Sequence, residues 1–396
     1  MSDWKTKTLG EVTSYIAKGI PPKYVEEVND DTICVLNQKC NKNFRISYAD
    51  SRLHNNAAKK VSDVKMLKPG DVLINSTGTG TAGRVAQIWD IEAPTTIDGH
   101  MILMRPTDEV DPLYYGYAVK AFQAEIESYA EGSTGQTEIN KTRLQNETII
   151  MYPVDKGEQY RIARILAAID EKILLNEEVN KNLLEQAQSI FTQEFLMLDR
   201  IPDGWKESSL LGIADYLNGL AMQKYRPKDD EQGLPVLKIK ELRQGSCDFN
   251  SELCSPSIKP EYIVHDGDVI FSWSGSLLVD LWCGGTCGLN QHLFKVTSST
   301  YDKWFYYVWT NHHLQKFAAI AADMATTMGH IKREELSKAE VLIPSQSDYE
   351  RIGGLLAPLY DLVIANCIEN RKLASLRDEL LPQLMSGQLN VSEVSL

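Results

Sequence analysis

The sequence has no uninterrupted apolar run of bilayer-spanning length, and its first residues, MSDWKTKTLGEV, contain no hydrophobic leader segment. The expectation is a soluble, cytoplasmic protein with no membrane partner. Cysteine is sparse and odd in number, seven scattered over 396 residues. That usage suits a reducing compartment better than a disulfide framework. Excess positive charge is lacking too, and a formal charge of −13 argues against a general polyanion binder. Catalytic signatures are missing: no G-x-x-x-x-G-K-[ST], no G-x-S-x-G, no H-E-x-x-H and no helicase-type ATP motif. The Asp/Asn-Pro-Pro-aromatic signature of amino-methyltransferases is absent as well. Its nearest approach, Ile20-Pro-Pro-Lys-Tyr24, has Ile20 where a polar acceptor must stand and Lys23 ahead of the aromatic.

One signature is present in its letters. Residues 75–85, NSTGTGTAGRV, contain Gly78-Thr-Gly80-Thr-Ala-Gly83, a G-x-G-x-x-G. A dinucleotide turn must open a helix, so that the helix N-terminal amides meet the pyrophosphate. Here Arg84-Val-Ala-Gln-Ile-Trp89 follows, a run that reads as a strand. DVLINS, turn and RVAQIW are therefore expected to be two strands joined by a glycine-rich loop.

What the sequence does have is itself, twice. DWKTKTLGEVTSYIAKG is echoed by GWKESSLLGIADYLNG, with Trp4 and Trp205 heading the copies and Gly19 and Gly219 closing these segments. LKPGDVLINSTGTG returns as VHDGDVIFSWSGS, where the G-x-G-x-x-G is lost. TIDGHMILMRP returns as GLNQHLFKVT, matching His100 with His292, and EINKTRLQNETIIMYP returns as HIKREELSKAEVLIP. A period near 190–200 residues is far longer than that of a solenoid and implies tandem domains.

Each copy ends in a heptad stripe. Ile162, Leu166, Ile169, Ile173, Asn176, Asn180, Leu183, Ala187 and Ile190 recur at steps of four and three. Ile352, Leu356, Leu359, Val363, Asn366, Asn370, Leu373, Arg377 and Leu380 repeat the pattern 190 positions later. Such a seam predicts long helices that pair. Pro358 is expected to kink the second helix near its start. The asparagines cost stability but fix register, because misalignment leaves their amides unsatisfied. They do not decide between parallel and antiparallel packing. Replacing Asn176 and Asn366 together by leucine is expected to raise thermal stability while loosening register. The segment Met197-Leu-Asp-Arg-Ile-Pro-Asp-Gly-Trp205 breaks the first helix and joins the halves.

Two further features bear on chemistry. From Val35 to Lys68 there are eight Lys or Arg against two Asp, a basic stretch in an acidic chain and a candidate phosphate-facing patch. Cys247, Cys254, Cys283 and Cys287, followed by His292, are the nearest approach to a metal set. Their spacing lies outside the usual tight pairs, so buried thiols are expected instead. His100 and His292 are expected as hydrogen-bonded core residues on apolar strands.

The paired Trp…Leu-Gly openings, Pro69-Gly-Asp-Val-Leu73, Gly132-Ser-Thr-Gly-Gln-Thr-Glu-Ile139 and Glu158-Gln-Tyr-Arg-Ile-Ala-Arg-Ile-Leu166 together resemble the DNA-specificity subunit of type I restriction-modification systems. The resemblance covers essentially the whole chain. The second copy departs from the pattern at Thr326-Thr-Met-Gly-His330 and at Tyr349-Glu350. It implies an α+β protein of two tandem globular α/β target recognition domains, each followed by a long helix, the helices forming an antiparallel coiled coil. The expected bounds are 1–155, 156–200, 201–346 and 347–396. Each domain would read half of a bipartite, asymmetric site in double-stranded DNA, and the helices would set the spacer and dock two methyltransferase subunits. Restriction-translocase subunits would join the full complex. S-adenosylmethionine, ATP and magnesium would be held by those partners, this chain having no cofactor, no metal and no catalytic role.

Base reading needs Asn, Gln, Arg or Lys at loop positions near the duplex. The first-copy candidates are Gln38, Lys39, Lys42, Arg45, Ser133, Thr134 and Gln136; those of the second copy are Lys238, Lys240, Arg243, Thr326, Thr327 and His330. Arg84 and Trp273, beside the glycine turns, are weaker ones. The competing classes are a fused restriction enzyme, disfavoured by the missing motifs, and a tandem protein scaffold that binds no DNA.

Overall fold

The structure is a computed structural model, and it describes residues 3–132, 137–323 and 332–391. The chain forms two compact units, residues 1–170 with 375–396, and residues 171–374.

In the first unit a four-stranded antiparallel sheet runs in the order Thr13–Lys18, Met101–Pro106, Val72–Asn75, Val85–Gln87. A second sheet pairs Thr95–Ile97 in parallel with Thr32–Leu36, which lies antiparallel to Arg52–Asn55. Trp4–Thr8 and Ile149–Pro153 form an antiparallel ribbon between the start and end of the copy. Val72, Leu73 and Ile74 are fully buried, as expected of a strand covered on both faces. The helix Pro112–Ala121 begins with Asp111 accepting the Leu113 and Tyr114 amides and with proline at its first turn. It buries Tyr114, Tyr115 and Tyr117, whose hydroxyls find Met151 O, Thr13 Oγ1 and Asp170 Oδ2 at 2.8, 2.7 and 2.6 Å. Each buried hydroxyl is thereby satisfied.

The second unit repeats this plan. Asp215–Asn218, Leu293–Thr297, Val269–Ser272 and Leu278–Leu281 take the same sheet order. Leu234–Leu237 lies parallel to Cys287–Leu289 and antiparallel to Leu253–Cys254, and Lys206–Ser209 pairs with Glu340–Ile343.

The repeated Gly-Asp-Val motif has the same structural task in both. Gly70 and Gly267 adopt φ of 90° and 84°, the left-handed region that glycine enters without strain. The following aspartates accept the backbone amides of Lys68 and His265, each at 2.8 Å. Asp71 then pairs with Arg105 at 2.7 Å, and Asp268 with Lys295 at 2.7 Å. Gly19 and Gly219 are fixed by close approach: a Cβ there would lie 2.1 Å from Asp98 O and 2.2 Å from Asn290 O.

The helices Lys156–Phe191 and Gln346–Met385 contain 36 and 40 residues, about 54 and 60 Å at ~1.5 Å per residue. A π-helical turn, Thr192–Leu196, ends the first. Every stripe position named above is buried or half-buried. In the first unit Ile162, Leu166, Leu381 and Leu384 join the domain core. In the second, Ala187, Phe191, Ile352 and Leu356 do so.

The second helix runs on through Pro358, whose ring is exposed. One expectation needs correction. By length and composition the same helix is apolar enough to cross a membrane, where none was expected. Ile352, Leu356, Tyr360 and Val363 on it are buried in protein.

Within the second unit the helices are antiparallel, and the asparagines meet across the seam. Asn176 Nδ2 donates to Asn370 Oδ1 and Asn366 Nδ2 to Asn180 Oδ1, both at 2.8 Å. Asn370 Nδ2 also donates to Ile173 O at 3.1 Å, and Asn176 Nδ2 to Glu369 Oε2 at 2.6 Å. In the first unit Arg377 spans to Asp170 at 2.8 Å. That explains an arginine at a stripe position: it neutralises a buried carboxylate on the facing helix.

Candidate nucleic-acid interface

The glycine-rich turn joins Val72–Asn75 to the antiparallel strand Val85–Gln87, with Gly78, Gly80 and Gly83 at φ of 121°, 69° and 88°. No helix follows it, as the sequence suggests. Gly83 is required because a Cβ would lie 2.6 Å from Glu127 Cα. Arg84 is exposed and donates back to Gly80 O at 3.2 Å.

Beside this turn lies the segment that carries most first-copy candidates. Asn37 caps a short 3-10 turn, Gln38–Cys40, by accepting the Lys39 amide at 2.9 Å. Gln38 is half-buried, and its Oε1 lies 3.4 Å from Thr77 Oγ1. Lys39 is exposed. Asn41–Lys42 and Arg45–Ile46 form a tight hairpin whose turn residues Asn43 and Phe44 have φ of 50° and 68°. Phe44 anchors that strained turn by packing its ring 4.9 Å from Tyr117. Lys42 is exposed and pairs with Asp50 at 2.9 Å. The Arg45 guanidinium is half-buried, 3.5 Å over the Trp89 ring. Gln38, Lys39 and Lys42 thus share one rim, while Arg45 also braces it.

The second copy uses different residues on the matching segment. Lys238 precedes the helix Ile239–Gln244 and pairs with Glu252, which Arg226 also meets at 3.1 Å. The Lys238 hydrogen bond holds the Glu252 carboxyl below the usual carboxylate range. Lys240 is exposed, 3.5 Å from Asp248, and Arg243 is exposed on the same helix. A cavity of about 460 Å³ opens here, lined by Gln223, Arg226, Lys238, Lys240, Gln291 and His292 among others. Three cations, Arg226, Lys238 and Lys240, line it together with the Glu252 carboxylate, a setting suited to phosphate and base edges. The Trp273 ring lies 6.3 Å from that of His292, and its Nε1 donates to Asn218 Oδ1 at 3.0 Å. Ser133, Thr134, Gln136, Thr326, Thr327 and His330 lie outside the described residues.

The histidines correct the sequence reading. Neither sits on a strand: His100 and His292 occupy the turns just before Met101–Pro106 and Leu293–Thr297. His100 is exposed and His292 half-buried. Their Nδ1 atoms meet Thr77 Oγ1 at 2.8 Å and Ser274 Oγ at 3.1 Å. The sequence signal was the pairing of the histidines across the repeat; the hydroxyl partners gave none.

Among the described residues no three His, Cys, Asp or Glu side chains converge in a metal-holding group. Cys254, Cys283 and Cys287 are buried, and Cys247 is half-buried. The Cys283 thiol donates to Leu281 O at 3.4 Å.

A family model for the type I restriction modification DNA specificity domain matches residues 1–186 and again 202–376. The MjaIX specificity subunit of a type I restriction enzyme from Methanocaldococcus jannaschii is 23% identical over 99% of this chain and 95% of its own. The HindI specificity subunit from Haemophilus influenzae is 19% identical over 98% of this chain and 100% of its own. Among solved structures, the S subunit of a type I restriction-modification system from M. genitalium superposes with a TM-score of 0.57. It is 14% identical, covering 97% of this chain and 96% of that one, and supports the fold.

Proposed function

The chain belongs to the type I restriction-modification DNA specificity family, and on that premise we propose that residues 1–155 and 201–346 are recognition domains that each read one half of a bipartite, asymmetric double-stranded DNA target. As a specificity subunit it is the non-catalytic, DNA-recognising component of such a system.

The observation that carries the two-half reading is a duplicated scaffold with unlike rims. The sheets that carry the two Gly-Asp-Val strands share one strand order, yet Asn37-Gln38-Lys39 in one copy stands where Lys238-Ile239-Lys240 stands in the other. Different side chains at matched positions select different bases, and the spacing of two half-sites follows from the distance between the readers.

The long helices, with the C-terminal tail included in the bounds 156–200 and 347–396, set that distance and dock two methyltransferase subunits. Supporting this, Leu174, Leu175 and Leu184 on the first helix and Leu355, Leu362 and Leu376 on the second remain 38–55% exposed. Repeated leucines on a solvent face fit a partner surface. On this reading S-adenosylmethionine belongs to the methyltransferase subunits, ATP and magnesium belong to restriction-translocase subunits, and the complex works in the cytoplasm. The partners then supply much of the phosphate neutralisation that a chain of charge −13 cannot.

The test is DNA binding by the assembled complex as salt is raised from about 50 to 200 mM, on duplexes of random and selected sequence. A steep fall with salt together with sequence preference is expected. Binding indifferent to both would contradict DNA reading and favour a protein scaffold.

A further inference from the structure

In both units the strand carrying the Gly-Asp-Val motif leads to a hydroxyl that meets the imidazole heading the neighbouring strand. Thr77 Oγ1 lies 2.8 Å from His100 Nδ1, and Ser274 Oγ lies 3.1 Å from His292 Nδ1. The same turn is built beneath each ring. The His100 amide donates to Asp98 Oδ1 at 2.9 Å, and the His292 amide to Asn290 Oδ1 at 3.2 Å. Around this pair the copies have drifted: in the repeat alignment Ser76 corresponds to Trp273, Gln38 to Ile239, and Asp98 to Asn290. The hydroxyl–imidazole contact has stayed.

Core packing does not account for it. His100 is exposed, and His292 lines the cationic cavity of about 460 Å³ with Lys238 and Gln291. Fixing Nδ1 orients the ring and leaves Nε2 as the nitrogen available to a ligand. In the second unit Nε2 lies 3.4 Å from the Gln291 side-chain nitrogen, so two adjustable hydrogen-bonding groups stand together. In the first, Gln38 reaches the same hydroxyl at 3.4 Å. A phosphate needs little orientation and is served by the nearby lysines. A base edge needs a group held at one angle, which a pinned imidazole supplies.

We propose that Thr77–His100 and Ser274–His292 are matched base-reading elements, one per recognition domain, each presenting imidazole Nε2 to a base edge of its own half-site. The histidines touch the base; Thr77 and Ser274 are positioning residues. This rests on the DNA-reading function proposed above.

The test is selection from a randomised duplex library by the full chain co-purified with its methyltransferase subunits, followed by sequencing. Wild-type protein should return a two-part motif. His292→Ala should relax one base pair in one half by about tenfold or more, with affinity for random DNA and its salt dependence retained. His100→Ala should do the same in the other half. Ser274→Ala should weaken the same base pair as His292→Ala, and Ser274→Thr should keep it. Melting temperatures near wild type confirm that the variants fold; the exposed His100 gives an independent arm should His292→Ala unfold. An unchanged motif in both histidine variants overturns the assignment. So does a loss of affinity equal for all sequences with a shallower salt dependence, which marks a phosphate contact. A wild-type selection with no motif would instead overturn DNA reading itself, and this assignment with it.

Discussion

Asn176 and Asn370 form a direct amide pair at 2.8 Å across two antiparallel helices. Asn366 and Asn180 form the second pair, also at 2.8 Å. The pairs therefore cross the repeat: Asn176 and Asn366 occupy equivalent positions in the two copies but belong to different pairs. Replacing those two together, which the sequence suggests as stabilising, removes one member of each pair and takes the donors from Asn370 Oδ1 and Asn180 Oδ1. That double variant should lose stability. Asn176→Leu alone should cost about 1–3 kcal/mol, and adding Asn370→Leu should recover most of it while relaxing register. Thermal melts of the four-member cycle check this; additive losses would contradict direct pairing.

The Asp170–Arg377 ion pair makes a second prediction. Their side chains are 6% and 16% exposed, at 2.8 Å, and Asp170 also accepts the Tyr117 hydroxyl at 2.6 Å. Arg377→Met leaves that carboxylate without its cation and should cost about 3–5 kcal/mol. Denaturant unfolding of the first unit measures it, and a loss below 1 kcal/mol, the size of ~1 kcal/mol surface pairs, would contradict a buried pair.

Burial pushes the imidazoles of His312 and His313 below their usual range. His313 Nε2 also contacts Glu340 O at 2.8 Å, a bond the neutral ring makes by donating. The folded state therefore binds fewer protons than the unfolded one near and below pH ~6.5. The stability contributed by the neutral rings is present above that pH and is lost as pH falls below it. The melting temperature should drop between about pH 7 and 5, and His313→Gln should flatten the drop.

Asp280 has the opposite sign. Burial raises its carboxyl to about 6, although the Leu281 amide, at 2.8 Å, pulls it down. A raised acid favours folding at low pH, and that contribution is lost as pH rises from about 3.9 through the folded value. Asp280→Asn should therefore stabilise the second unit by about 3 kcal/mol above pH ~6 and much less near pH 4. A gain independent of pH would contradict it.

Much of this was legible in the sequence because it rests on periodicity. The stripes from Ile162 and Ile352 proved buried or half-buried throughout, and the glycine turn proved a hairpin because Val85–Gln87 pairs back on Val72–Asn75. What was not legible depends on partners distant along the chain. Glu252 reaches Lys238 from fourteen positions away, and which asparagines meet depends on helix direction, which the stripe leaves open. The apolar run MILM extends the strand signal back to His100, whereas the strand itself begins at Met101.

The most direct test of the central claim is single-molecule methylome sequencing of cells carrying or lacking this gene alongside its methyltransferase. A split motif present only with the gene, one half of which changes when residues 1–155 are exchanged for those of a relative, is the expected result. A methylation pattern that ignores the gene, or an exchange that alters both halves together, would contradict it.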